Sequence, residues 1–418
     1  MQKLIVKGKK KLLGTISISG SKNATLPILA ATLLADGVIT LKNIPFVQDV
    51  YTMISLLKFV GLSVKLSKKK NTLEILNNKK LKTVAPYSLL KTMSAGVLVL
   101  GPLLAKYKKA KVSLPGGCAI GTRPVNLHLF ALEKLGAKIK IKNGYIYASA
   151  KNGLIGSIIK FPSISVGATE NAILAAVSAK GKTIIFNCAI EPEIQDMIIF
   201  LKKMGCNINF IGKRKIQIIG TKEFKNASHE IIFDRIELGT YLIAAALVGE
   251  KVIFLKIKPK IIKTEIELLK KMGVKMKVES NKITVFKSKK INSANIKTEP
   301  YPGFPTDLQA QIMVLMLRAS GMSKITENIF ENRFMHVPEL RRMGAKIITK
   351  NNVALIKGPT NLSGAEVMAT DLRASVSLVL AALIADNKTI INRVYHLDRG
   401  YENLEKKLKK CKASIVRV

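Results

Sequence analysis

A helical face that closes on an apolar residue, a glycine and a small residue, then runs into a short alternating strand, recurs along this chain. The copies are Phe59-Val60-Gly61-Leu62, Lys134-Leu135-Gly136-Ala137, Lys203-Met204-Gly205-Cys206, Lys271-Met272-Gly273-Val274 and Arg342-Met343-Gly344-Ala345. A degenerate sixth copy, Lys410-Cys411-Lys412-Ala413, closes the chain. A period of about seventy residues marks one supersecondary unit repeated six times, which constrains the fold more than any single motif does.

The third copy shows the unit most clearly. The pattern predicts a helix of small apolar residues over Thr169 to Ala179, a strand at Thr183 to Asn187, and a second helix from Pro192. Strands follow at Asn207 to Phe210 and Ile216 to Ile219. Each unit therefore reads β-α-β-α-β-β. Its first helix is apolar nearly all round and belongs at a domain centre, while its second is amphipathic and belongs under solvent. At 418 residues the chain is too long for one ordinary core. The six units divide most simply as three plus three. The last unit needs partner strands, which Leu4 to Ile18 can supply, so the expected lobes are 21–232 and 1–20 plus 233–418.

The formal net charge of +42 can mean nucleic acid, an anionic membrane surface or anionic small substrates, but its distribution speaks mostly for lysines drifting onto solvated faces. Lysines recur in short runs along the whole chain, aromatics are only 6% and tryptophan is absent. That is not the concentrated basic stripe with stacking aromatics of a nucleic-acid binder. No signal peptide is visible near Met1, and the longest apolar runs are too short to span a bilayer. Four cysteines without a C-x-x-C pair and four scattered histidines indicate neither a metal site nor a disulfide framework. A cytoplasmic protein is expected.

Chemistry concentrates in a few glycine-containing turns. In Leu114-Pro115-Gly116-Gly117-Cys118-Ala119-Ile120-Gly121-Thr122-Arg123-Pro124, three glycines and two prolines exclude regular structure around one thiol. Arg123 beside it favours the thiolate, which makes Cys118 a nucleophile or proton donor. Cys188, Cys206 and Cys411 occupy repeat positions and read as small buried hydrophobes. Ser19-Gly20-Ser21-Lys22-Asn23 leads into an apolar helix with a lysine at its start, suited to an anion. Phe304-Pro305-Thr306-Asp307 opens the fifth helix in the same way, and Asp307 reads equally as an N-cap or a general base. Arg333, Arg373 and Arg399 each stand in or beside a turn, in a chain where lysine far outnumbers arginine. Forked, bidentate recognition of carboxylate or phosphate explains their retention. The expected layout sets these arginines across a cleft from Cys118 and Lys22, around a doubly anionic small substrate.

Taken together, these segments resemble the UDP-N-acetylglucosamine enolpyruvyl transferases of the EPSP synthase-like family nearly end to end. The resemblance rests on Ser-Gly-Ser-Lys-Asn, the Cys118 loop, Phe-Pro-Thr-Asp-Leu-Gln-Ala-Gln, Phe-Glu-Asn-Arg-Phe-Met-His-Val-Pro-Glu-Leu, Ala-Thr-Asp-Leu-Arg-Ala-Ser and Asp-Arg-Gly-Tyr-Glu, all in family order. It implies a two-lobed inside-out α/β barrel and transfer of the enolpyruvyl group of phosphoenolpyruvate to the 3-hydroxyl of UDP-GlcNAc, the first committed step of peptidoglycan synthesis. By this analogy Cys118 protonates the methylene carbon and can hold phosphoenolpyruvate as a covalent adduct, and Asp307 takes the sugar hydroxyl proton. Lys22, Asn23, Arg123, Arg333, Arg373 and Arg399 would bind phosphoenolpyruvate, with Lys22 and Arg399 also counted as catalytic. The nucleotide sugar would lie along Asn23, Arg123, Pro124, Val125, Asn126, Leu127, Ser163, Ile164, Ser165, Val166, Asp307 and Ile329. No metal or organic cofactor is implied, and the partners are the two small substrates.

Two positions depart from the family pattern. Ser94 stands where the family commonly has arginine, which removes charge-assisted hydrogen bonding on the order of 1–3 kcal/mol. Asn126 stands where it commonly has aspartate, so weaker or altered nucleotide binding is expected. The alternatives are a 5-enolpyruvylshikimate-3-phosphate synthase, which shares the repeat, and a non-catalytic polyanion-binding repeat protein. The Cys118 loop argues against the first. Retention of Cys118, Asp307 and the arginines together argues against the second.

Overall fold

The structure is a computed structural model that describes residues 2–77, 81–116 and 125–418. The expected glycine loop with Cys118, Arg123 and Pro124 lies outside the described residues. The chain forms two compact units, one from the residues up to Ser19 together with Phe233–Val418, the other from the described residues between Gly20 and Ile232.

Among the described residues each unit holds three four-stranded sheets, and these six sheets share one pattern. In the clearest, Ile158–Lys160 runs parallel to Lys182–Phe186, which pairs antiparallel with Lys215–Ile219, itself antiparallel to Asn207–Gly212. Three sheets are completed by strands from elsewhere in the chain. Leu4–Lys7 lies between Lys388–Asn392 and Ser414–Arg417, and Leu12–Ile16 runs parallel to Gly249–Leu255. Ala227–Glu230 closes the first sheet of the other unit against Val38–Lys42. These strands bring the ends of each unit together and leave no sheet short of its fourth member.

The centre of each unit is helical. Gln309–Met316 and Ser375–Ile384 are buried along their whole length, and Arg235–Val248 is buried except at Val248. The three pack against one another. Lys22–Ala31 and Val166–Ala176 play the same part in the other unit. A helix buried on every side must be apolar on every side, which is why these segments carry so little amphipathic signal. Val166–Ala176 begins three residues before the position read from apolar spacing. The Ser165 hydroxyl accepts from Ala168 N at 3.3 Å and so caps the helix there.

The repeat glycines have a local cause. Gly61, Gly136, Gly205, Gly273 and Gly344 have φ of 125°, 90°, 96°, 91° and 92°, each just past the C-terminus of an outer helix. A left-handed residue there satisfies the last helical carbonyls and turns the chain into the next strand, and glycine enters that region without a Cβ penalty. In the sixth copy Lys412 takes the same place at φ 69°.

Candidate active site

Asp307 sits in a short 3-10 turn, Thr306–Leu308, ahead of the helix Gln309–Met316. Its side chain does not cap that helix. Asp307 Oδ1 instead accepts from Arg333 Nη2 at 2.7 Å, and Oδ2 lies 3.6 Å from Arg373 Nε. Asp307 is thus a carboxylate paired with two arginines rather than an N-cap. The two arginines reach it by different routes. Arg333 is buried in a run of turns, with its guanidinium over the Phe330 ring at 5.5 Å. Arg373 is buried beside the start of the helix Ser375–Ile384 and faces Asp234 Oδ2 at 3.6 Å. Burial works against the Arg373 charge, but Asp234, Tyr401 and Asp307 more than offset it, so this guanidinium holds its proton more firmly than usual. Arg399 is half-buried directly after the turn Tyr395–Asp398, in the same unit.

A carboxylate that residue patterns alone did not reveal organises the neighbouring loop. Glu327 is buried, and its Oε1 accepts from Thr298 Oγ1, Ile329 N and Phe330 N at 2.9, 2.9 and 3.2 Å. Its Oε2 accepts from Thr306 Oγ1 at 2.9 Å, one residue before Asp307. One side chain thus fixes both Ile329 and the Asp307 turn. The only sequence signal was an acidic residue just after a strand, too common to single out.

In the other unit Ser21 caps the helix Lys22–Ala31, and Lys22 is buried with Nζ 3.4 Å from Asp49 Oδ2. The ammonium is therefore drawn inside its unit and given a carboxylate partner. Asn23 beside it is half-buried. The foot of the Cys118 loop is pinned: Gly116 N donates to Leu90 O at 3.3 Å, and a Cβ on Gly116 would meet Lys91 O at 2.1 Å. Only glycine permits that approach. Ser94 opens the next 3-10 turn, Ser94–Val99. Asn126 is the exposed first residue of the helix Asn126–Lys134, after Val125, with Leu127 half-buried. Ser163 and Val166 are exposed, Ile164 and Ser165 half-buried, around the start of Val166–Ala176. These two helix starts are tied together through His128. Asn171 Nδ2 lies 3.1 Å from His128 Nδ1 and donates to Val97 O at 3.2 Å, while Asn171 Oδ1 accepts from Gly101 N at 2.8 Å. Because the amide nitrogen donates, Nδ1 accepts and the ring is neutral, in keeping with burial that lowers its pKa to about 4.

The remaining thiols are unsuited to chemistry. Burial pushes Cys188 and Cys206 up to about 11 and about 12 and raises Cys411 as well, and all three are free and buried. Among the described residues no group of histidine, cysteine or acidic side chains is placed to hold a metal ion, and no helix is long and apolar enough to cross a membrane.

The chain is 61% identical over its whole length to the UDP-N-acetylglucosamine 1-carboxyvinyltransferase of Pelagibacter ubique (strain HTCC1062), covering all of both chains. It is 51% identical to the enzyme of the same name from Endomicrobium trichonymphae, over 99% of each. Among solved structures, the enolpyruvyl transferase NikO from Streptomyces tendae superposes with a TM-score of 0.90 at 23% identity, covering 100% of this chain and 99% of that one. EPSP synthase from Acinetobacter baumannii gives 0.76 at 16%, with the same coverage. The fold is that of the enolpyruvyl transferases. Residues 6–408 match EPSP synthase (3-phosphoshikimate 1-carboxyvinyltransferase), and the chain belongs to that family.

Proposed function

We propose that this protein transfers the enolpyruvyl group of phosphoenolpyruvate to the 3-hydroxyl of UDP-N-acetylglucosamine and releases phosphate. The observation that carries the reading is the Arg333–Asp307–Arg373 clamp, with 2.7 and 3.6 Å contacts, in a chain similar along its full length to transferases of that name. Residues of both lobes, 21–232 and 1–20 with 233–418, serve the one reaction.

The roles follow the resemblance. Asp307 takes the proton of the sugar 3-hydroxyl as its oxygen bonds to C2 of phosphoenolpyruvate. Cys118 gives a proton to C3, which becomes a methyl group, and can also bond to C2 as an adduct. Breaking the C2–O bond to phosphate and returning one methyl proton to the Cys118 thiolate restores the double bond and the thiol, and the proton held by Asp307 leaves with the phosphate. Lys22, Arg123, Arg333, Arg373 and Arg399 stabilise the substrate's negative charge and that of the departing phosphate. Asn23, Val125 to Leu127, Ser163 to Val166 and Ile329 receive the nucleotide sugar.

The test is phosphate release from phosphoenolpyruvate with either UDP-N-acetylglucosamine or shikimate 3-phosphate as acceptor. Release with the sugar nucleotide alone is expected. Release with shikimate 3-phosphate alone would transfer the chain to the synthase reaction.

A further inference from the structure

Behind the arginine clamp lies a hydrogen-bonded brace that none of the roles above uses. Tyr401 is buried, and its ring lies under the Arg373 guanidinium with 5.3 Å from Cζ to the ring centroid. Its hydroxyl lies 3.0 Å from Thr240 Oγ1 and 3.2 Å from Gln311 Nε2. Proton bookkeeping fixes the directions. Thr240 gives its one hydroxyl proton to Ile236 O at 2.9 Å, so the tyrosine donates to Thr240, and Gln311 Nε2 shares one proton between the tyrosine hydroxyl and Thr240 Oγ1, each at 3.2 Å. Gln311 Nε2 gives its other proton to the backbone carbonyl of Asp307 at 2.8 Å. Reversing that amide would set two acceptors against each other, so its orientation is determined.

Arg373 depends on the same tyrosine. Its Nε and Nη2 make no hydrogen bond among the described residues; they face Asp307 and Asp234 at 3.6 Å, beyond hydrogen-bond reach. What locates the guanidinium is the Gly400 carbonyl, which accepts from Nη1 at 3.4 Å, and the Tyr401 ring. Gly400 lies against Leu372, whose Cδ1 would stand 2.3 Å from an added Cβ and would have to move aside for one. Nε and Nη2 are thereby aimed at the Asp307 and Asp234 carboxylates with their N–H bonds unused. The ring seats Arg373, whose charge the hydroxyl also supports, and the hydroxyl reaches the Asp307 turn through Gln311.

We propose that Tyr401, acting with Gln311, is a positioning residue for the transfer. Its ring seats Arg373 for the substrate anion, and its hydroxyl, through Gln311, seats the Asp307 turn for proton removal. This rests on the assignment of Asp307 and Arg373 to the transferase site. The ring is worth roughly tenfold in anion affinity, as a desolvated cation–π contact. The hydroxyl is worth roughly tenfold in turnover, as one buried hydrogen bond lost behind the base.

The experiment compares Tyr401→Phe, Tyr401→Leu and Gln311→Met with the wild type. Steady-state kinetics give the KM for phosphoenolpyruvate and kcat, calorimetry gives phosphoenolpyruvate binding, and circular dichroism follows folding. Tyr401→Phe and Gln311→Met are expected to lower kcat with phosphoenolpyruvate KM and binding kept. Tyr401→Leu is expected to weaken both binding and KM as well, so that phenylalanine rescues the affinity leucine loses. Unchanged kcat in Tyr401→Phe, or equal binding by the phenylalanine and leucine variants, would overturn the proposal. Should Tyr401→Leu not fold, the kcat of the other two variants decides. A wild type that binds phosphoenolpyruvate yet transfers it to no acceptor would contradict the function instead, and the binding comparison would still test the brace.

Discussion

At the scale of single residues, the account turns on charge placed where chemistry needs it. Asp307→Asn keeps the shape of the clamp and removes the base, so kcat is expected to fall by roughly 10²–10⁴-fold, with thermal unfolding little changed. A smaller loss would move the proton-accepting role elsewhere. Ser94→Arg supplies the guanidinium that the resemblance leads one to expect there and is expected to lower the phosphoenolpyruvate KM by about tenfold, the effect of one charge-assisted hydrogen bond. An unchanged KM would show that the lysines and arginines already present suffice. His128 gives a pH signature. Its folded pKa of about 4 lies below the ordinary 6.5, so the unfolded chain takes up the proton first. Stability contributed by the neutral ring is therefore lost as pH falls from 6.5 towards 4, on the order of 3 kcal/mol at the low end. Denaturant titrations from pH 7 to 4 are expected to show a shallower decline for His128→Asn than for the wild type.

At the scale of elements, the repeats were legible because each has a backbone cause. Five glycines at positive φ mark five helix ends, and the sixth end, with Lys412 at φ 69°, kept the flanking pattern but lost the glycine. A lysine in that region is strained, so Lys412→Gly is expected to raise stability by up to about 1 kcal/mol, read as a higher Tm. A lower Tm would mean that the lysine side chain contributes more than the backbone strain costs. The central helices meet closely enough to select residues. Gly101 packs so tightly on Asn171 that a Cβ would lie 2.4 Å from its Oδ1 and 2.7 Å from its backbone oxygen. Gly101→Ala is therefore expected to destabilise the protein by about 1–3 kcal/mol. The helix read over Thr169 to Ala179 runs Val166–Ala176, three residues earlier at both ends. Apolar spacing placed its start at Thr169, but a serine hydroxyl set it at Val166, because a cap acts through one hydrogen bond rather than through a periodicity.

At the scale of the whole molecule, the residue types of the site could be picked out in the sequence, but their pairings could not. Lys22, Asp307, Arg333, Arg373 and Arg399 stood out because each lies in or beside a turn and carries charge. That Arg333 and Arg373 share Asp307, that Arg373 also meets Asp234, and that Lys22 pairs with Asp49 are consequences of packing. The Thr240–Gln311–Tyr401 brace joins residues 71 and 90 positions apart, and no local pattern announces it. The strand exchange that completes three sheets was partly visible, since a chain ending in an unfinished unit must find strands at its other end. The charge of +42 gave no comparable guidance, because lysines spread over solvated faces say little about any one site.

The central claim is that one substrate's enolpyruvyl group ends on the other's sugar hydroxyl. The most direct test is to incubate the protein with phosphoenolpyruvate and UDP-N-acetylglucosamine and identify the product by mass spectrometry and NMR. The account predicts UDP-N-acetylglucosamine carrying an enolpyruvyl ether at the 3-oxygen, formed with one equivalent of phosphate and absent with Cys118→Ala. Recovery of unmodified nucleotide sugar beside consumed phosphoenolpyruvate, or an ether at any other oxygen, would contradict it.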